Sequence, residues 1–227
     1  MTFVTGTDTD VGKTVTTAAL AATFAGSGAT VAAYKPTQTG VGPGERADMA
    51  EVVRLSGIST VREGIRLRDP MAPVAAAVRA ESPLPTLEQH MENIMTLAGD
   101  HSHVLVEGAG GLLVELDAQG HTLAELAVRV CSIATLQIVL VCRSGLGTLN
   151  HTQLTLEALQ HRQLPPAGLV IGSWPSTPSY IEQSNLEYLQ AVGTPFLGLL
   201  PEGAARLAPA TFRQHAPTWF PCSPHQP

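Results

Sequence analysis

A chain of 227 residues, 44% of them hydrophobic, can close one sizeable α/β core and is short for two. Its formal net charge of −6 excludes a general binder of nucleic acid or of anionic membrane surfaces. No basic run occurs, and no apolar run reaches the ~18 residues that a membrane span needs, so neither a targeting tail nor a spanning helix is expected. A first strand starting at residue 1 would leave no room for a signal peptide. Cys131, Cys142 and Cys222 show no metal spacing, and an odd number of thiols does not point to a disulfide framework. A reducing cytoplasm is the expected setting. Aromatic residues make up only 4% while Ala and Gly abound, a composition suited to small-residue helices lying close on a sheet.

Apolar runs alternate with helix-like segments along the chain, the pattern of a mostly parallel sheet flanked by helices. Residues 1–5 read as a strand, followed by a Gly-containing loop and a helix over 14–25 that Gly26 and Gly28 end. Residues 31–34 form a second strand running into Lys35-Pro36. Pro36 disfavours helix at Lys35, which places that lysine at a strand end. Helices are expected over 47–56 and 87–97. A buried strand over 103–107 runs into Gly108-Ala109-Gly110-Gly111. A helix over 122–130 and a strand over 138–142 follow. The loop RSGLGTLN then opens a helix reaching about residue 161. Strand 168–171, helix 184–191 and strand 196–200 complete a single domain over residues 1–205, without repeats or linkers. Residues 206–227 read as an irregular extension, since the closing PTWFPCSPHQP holds four prolines and no periodicity.

The stretch VTGTDTDVGKT, residues 4–14, carries the clearest chemistry. A strand, a Gly turn and a helix start in that order make an anion site, because backbone N–H groups and the helix dipole both favour negative charge. Lys13 would reach the outer phosphates and Thr14 would offer its hydroxyl to Mg²⁺. The loop departs from the common pattern: five residues, not four, separate Gly6 from Gly12, and Asp8 and Asp10 are acidic. A carboxylate facing bare phosphate is repelled but is tolerated beside a metal or a cationic substrate. The acids therefore point either to a second substrate carrying positive charge, such as an amine, or to side chains turned to solvent or capping the turn.

Further stations gather where strand ends would meet. Lys35 in KPTQTG supplies a cation, with hydroxyls at Thr37 and Thr39, and active groups collect at the carboxyl ends of strands in doubly wound sheets. Asp48 and Glu107 are candidate Mg²⁺ partners beside Thr14, since that ion takes a few protein oxygens plus phosphates and waters. Asp48 fits equally well as a helix N-terminal acid. Gly108 to Gly111 allow a ligand close to the backbone. GLGTLN, ahead of a helix, offers a second anion site, where Asn150 also suits a simple helix start. The eight histidines are scattered without zinc spacing and read mostly as surface residues.

Taken together, GTDTDVGKT, KPTQTG, the Asp48 segment, VEGAGGLLVEL and LGTLNHTQLTLEAL resemble the dethiobiotin synthetases, in that family's order over residues 3 to about 160. The resemblance implies a single-domain P-loop fold acting as a homodimer. It implies an enzyme that uses Mg-ATP to join CO2 to 7,8-diaminononanoate and close a cyclic urea through a carbamate and a carbamic–phosphoric anhydride. No nucleic-acid or membrane partner is implied. By resemblance Lys35 and Lys13 are catalytic, and Thr14, Asp48 and Glu107 hold Mg²⁺. The nucleotide would contact Asp10, Val11, Gly12, Lys13, Thr14, Val15, Asp48, Glu107, Gly108, Ala109 and Gly110, with Gly172, Ser173, Leu200, Pro201 and Glu202 on its base side. Thr9 and Thr39 would bind substrate, while Gly147, Thr148, Leu149 and Asn150 would take the substrate carboxylate from the partner subunit. One departure matters. The family commonly has an Asn-Asp pair after the late strand, where the Asn reads adenine; here LVIGSWP puts Gly172 and Ser173 there, which predicts relaxed choice among nucleoside triphosphates.

Two other classes share parts of this pattern. Cobyrinic and cobyric acid synthases have the same loop style but need a following glutaminase domain, for which this length leaves no space. Partitioning ATPases of the ParA/MinD kind carry an extra early Lys in a KGGxGKT loop, where this chain has Thr-Asp-Thr-Asp.

Overall fold

The apolar runs pair into one wholly parallel sheet in a computed structural model that describes residues 1–164 and 166–221. Its strands are β1 (Thr2–Gly6), β2 (Val31–Gln38), β3 (Thr60–Arg66), β4 (His103–Glu107), β5 (Gln137–Cys142), β6 (Gly168–Trp174) and β7 (Phe196–Pro201). Their order is β3-β2-β4-β1-β5-β6-β7, with β1 in the centre. The helices are α1 (Lys13–Gly26), α2 (Asp48–Ser56), α3 (Pro73–Arg79), α4 (Leu87–Asp100), α5 (Leu123–Cys131), α6 (Thr148–His161), α7 (Tyr180–Ala191) and α8 (Pro209–His215). None is long and apolar enough to cross a membrane.

Strand alternation sends side chains to opposite faces. Val4, Ala33, Leu105, Val139 and Val141 meet α1, α2 and α8 on one face, while Phe3, Ala32, Tyr34, Val104, Val106 and Ile138 meet α4 and α5 on the other. Helix α1 lies close to the sheet through Ala18, Ala19, Ala21 and Ala22, as its small-residue composition predicts.

Several expectations need correcting. Lys35 is not a strand terminus, because β2 runs on to Gln38. The ladder to β4 ends at Tyr34↔Val106 while the ladder to β3 continues through Gln38↔Arg66. Pro36, which has no N–H to give, therefore sits where only one neighbour remains. Lys35 thus stands one residue past the last β2–β4 pair, level with the end of β4. Strand β3 and helix α3 were not legible as elements, and β6 and α7 are longer than expected. Two histidines are core residues: His90 and His103 are buried, and a His90 Nδ1 lies 2.6 Å from the Tyr34 hydroxyl.

Residues 206–221 are not irregular. They form α8 and a 3₁₀ turn over Ala216–Trp219, which cover α1 and α2. Phe212, Ala216, Trp219 and Phe220 recur at helical spacing, so this segment has an apolar face despite its prolines. Arg54 of α2 donates to the carbonyls of Ala205 and Leu207 and pins the segment down. Residues 222–227, including Cys222, lie outside the described residues. Cys131 and Cys142 are free thiols.

Candidate active site

Helices α4, α5 and α7 start with capping boxes, Thr86–Gln89, Thr122–Glu125 and Ser179–Glu182, which satisfy their first N–H groups internally. Helices α1 and α6 start differently, on the left-handed glycines Gly12 (φ 99) and Gly147 (φ 90), with no side-chain cap and no acid in the first turn. Their N–H groups stay available to an anion. Gly12 opens onto a cleft of about 790 Å³ above the carboxyl ends of β1, β2 and β4.

Five of the expected residues converge there. Lys35 Nζ lies 2.5 Å from Asp48 Oδ2 and 2.7 Å from Glu107 Oε1. Thr14 Oγ1 donates to the same Glu107 Oε1 at 2.8 Å. Lys13 Nζ donates to the Asp8 carbonyl at 2.7 Å, bridging its own loop. Glu107 and Lys35 are 0% and 4% exposed, so this ion pair is held away from water. Burial pulls the Lys13 amine down to about 8, partly opposed by Glu107. Burial acts on Lys35 too, but Glu107 and Asp48 outweigh it and hold its pKa above the usual lysine value.

The cleft is also lined by Thr9, Asp10, Val15, Thr37, Thr39, Ala109 and Gly110, as expected, and by Arg46, Met71 and Pro73, which were not singled out from sequence. Gln38 was missed as well. Its side chain donates to the Thr39 carbonyl and accepts from the Asp48 N–H at 3.0 Å, fixing the start of α2 against β2. The loop acids receive a partial answer. Arg143 donates to Asp8 Oδ2 at 3.0 Å and to the Thr9 carbonyl at 2.8 Å, so Asp8 ties the loop to the end of β5. Asp10, at φ 58, is a left-handed non-glycine residue exposed between the two clefts.

A second cleft, about 250 Å³, opens between the loop and the ends of β6 and β7, lined by Asp10, Val11, Arg143, Ser173, Glu182 and Glu202 among others. Three of the expected nucleotide contacts, Leu200, Gly108 and Gly172, offer no side chain to a cleft. Leu200 is buried in the core, and Gly108 abuts Leu123, so either can offer only backbone. Gly172 carries the base of the loop: a Cβ there would stand 2.1 Å from the Val11 carbonyl oxygen and 3.0 Å from Gly12 Cα. Gly172→Ala is expected to cost about 1–3 kcal/mol in stability by overpacking, and to weaken nucleotide binding as the loop shifts. An unchanged thermal midpoint together with unchanged nucleotide affinity would show that the contact is looser than its geometry. Gly147 to Asn150 line neither cleft, and Gly147 and Asn150 are exposed.

A central parallel sheet with a Gly-Lys-Thr loop feeding α1, and acids delivered beside it, defines a P-loop nucleoside-triphosphatase fold. Comparison agrees: a family model described as an AAA domain matches residues 1–208. The cell division ATPase MinD of Pyrococcus furiosus superposes with a TM-score of 0.57 at 16% identity, covering 99% of this chain and 92% of that one, a likeness of fold alone. Among curated proteins, the ATP-dependent dethiobiotin synthetase BioD of Rhodococcus jostii is 51% identical, covering 96% of this chain and 93% of its own. That of Mycobacterium avium is 50% identical, covering 92% and 90%. The chain belongs to the ATP-dependent dethiobiotin synthetase family, ligases that close a ureido ring in biotin biosynthesis.

Proposed function

We propose that this chain carboxylates 7,8-diaminononanoate with CO2 or bicarbonate and closes the ureido ring to dethiobiotin at the expense of ATP, in the larger cleft. The observation that carries the assignment of roles is the meeting of Lys35, Asp48, Glu107, Thr14 and Lys13 above β1, β2 and β4. Carbamate and γ-phosphate are both anionic and must approach each other. Lys13 and Lys35 supply fixed positive charge where that repulsion and the transition-state charge develop. Thr9 and Thr39, on the cleft wall, orient the diamine.

The residues also fit Mg²⁺. Glu107 Oε2 is buried with no hydrogen-bond partner, Thr14 offers a hard oxygen at the other oxygen of that carboxylate, and Asp48 offers another across Lys35. When bound, Mg²⁺ neutralises phosphate charge. Phosphate release that requires both the diamine and bicarbonate, with dethiobiotin identified by mass, tests the assignment; release without the diamine would refute it.

The assembly is a homodimer in this reading, in a reducing cytoplasm that suits the free thiols. Support comes from the uncapped start of α6, which lines neither cleft, next to Leu146 and Leu154 at 87% and 57% exposure. Asn150→Ala is expected to raise the diamine KM while leaving nucleotide binding nearly intact. Sedimentation showing a fully active monomer would exclude the shared site.

Base choice should be relaxed. Discrimination requires groups that pair with the base edge, and Gly172 offers none while the Ser173 hydroxyl both donates and accepts. CTP, GTP or UTP is expected to replace ATP with modest loss, or some gain, in kcat/KM. A preference for ATP above about a thousandfold, roughly 4 kcal/mol, would reveal an adenine reader elsewhere.

A further inference from the structure

The ion pair at the cleft floor is arranged in a way that bears on when Lys35 can act. Thr14 and Lys35 both spend donors on one oxygen, Glu107 Oε1, at 2.8 and 2.7 Å. Glu107 Oε2 is left buried without a partner. A buried carboxylate with one crowded and one bare oxygen is only half satisfied. The hydroxyl of Thr14 spends its proton on Glu107 and keeps its lone pairs, which a metal could still use. On formal charge, a single ammonium stands between two carboxylates, since Lys13 Nζ donates to the Asp8 carbonyl.

We propose that Lys35 is the cation that occupies the Asp48–Glu107 pair in the metal-free cleft, and that its ammonium is released toward the substrate only when a divalent ion takes those oxygens. The inference rests on the reading that Thr14, Asp48 and Glu107 hold Mg²⁺. A divalent ion arriving at Glu107 Oε1 would meet the Lys35 ammonium already there, and like charges that close in a site shielded from water repel strongly. A divalent ion also matches the pair better, as it balances both carboxylates. The freed ammonium has somewhere to go. Thr37 follows two residues along the same face of β2, lines the same cleft, and its hydroxyl is buried with no hydrogen-bond partner. The arrangement is an interlock: without metal, the lysine that should meet an anionic substrate is neutralised by its own protein.

Mn²⁺ binding to nucleotide-free protein, followed by loss of the free-ion electron paramagnetic resonance signal, tests this without turnover. Wild type, Lys35→Met and Glu107→Gln are compared, with circular dichroism confirming that each is folded. Removing the competing ammonium should tighten Mn²⁺ binding at least tenfold in Lys35→Met, and Glu107→Gln should lose the site. Loss in Glu107→Gln with unchanged or weaker affinity in Lys35→Met would overturn the interlock and leave the metal reading standing. Equal affinity in wild type and Glu107→Gln would overturn both. Should Lys35→Met fail to fold, Lys35→Gln serves the same comparison.

Discussion

Lys35→Ala should lower turnover by about a hundred- to a thousandfold, since losing one preorganised charged donor from a transition state costs about 3–4 kcal/mol. Lys35 is 4% exposed at the floor of the cleft, held between Asp48 and Glu107, and reaches no bulk solvent that could replace it. The assay belongs at saturating Mg²⁺ and nucleotide, because the substitution otherwise strips the buried Glu107 of its counter-charge and destabilises the fold. Under those conditions the loss should appear in kcat, with nucleotide affinity little changed. Retention of more than about a tenth of wild-type turnover, a loss of only ~1.4 kcal/mol, would remove Lys35 from the chemistry.

Phe212→Ala should destabilise the protein by about 3–5 kcal/mol, roughly 6–20 °C in thermal midpoint for a chain of this size. The ring is fully buried, packs at 5.1 Å on Trp219 in an edge-on arrangement, and belongs to the same apolar cluster as α1 and α2. A loose terminus would give almost no shift on calorimetry, and a midpoint within about 2 °C of wild type would mean that α8 contributes little. The measurement matters for the site as well, because α2 carries Asp48 at its first turn and α8 covers that helix.

How much of this was legible in the sequence follows from burial. Strands β1, β4 and β5 lie in the sheet interior, covered on both faces, so they read as unbroken apolar runs and their limits come out within a residue or so. Strand β3 is at the edge. Arg62, Glu63 and Arg66 interrupt it, and Gly64 is needed because a Cβ would stand 2.4 Å from the Pro36 carbonyl oxygen, so TVREGIR has no strand signature. In residues 206–221 the prolines hid an apolar helical face. Lys13, Thr14, Lys35, Asp48 and Glu107 were readable as one site because β2, β4 and β1 are neighbours and deliver their carboxyl ends together. Gln38 and Arg143 were not, because what they do is set by partners brought near only by folding: the N–H of Asp48 for one, Asp8 for the other. The Leu200 side chain, expected on the base side, is turned by strand parity into the core, which leaves only its backbone for that role.

The backbone contact between Gly12 and Gly172 also constrains how such a chain can diverge. A base-reading side chain cannot be added at position 172 alone, because its Cβ would stand 2.1 Å from the Val11 carbonyl oxygen and push it aside, and with it the phosphate loop. A single-step mutant should therefore lose triphosphate grip before it gains a base contact, a fitness valley on either side of which base preference is stable. Crossing it takes concerted change in residues 8–11 and 172–173. A combinatorial library spanning both segments is where a switch of nucleotide preference should be found, and a saturation library at 172 alone is where it should not.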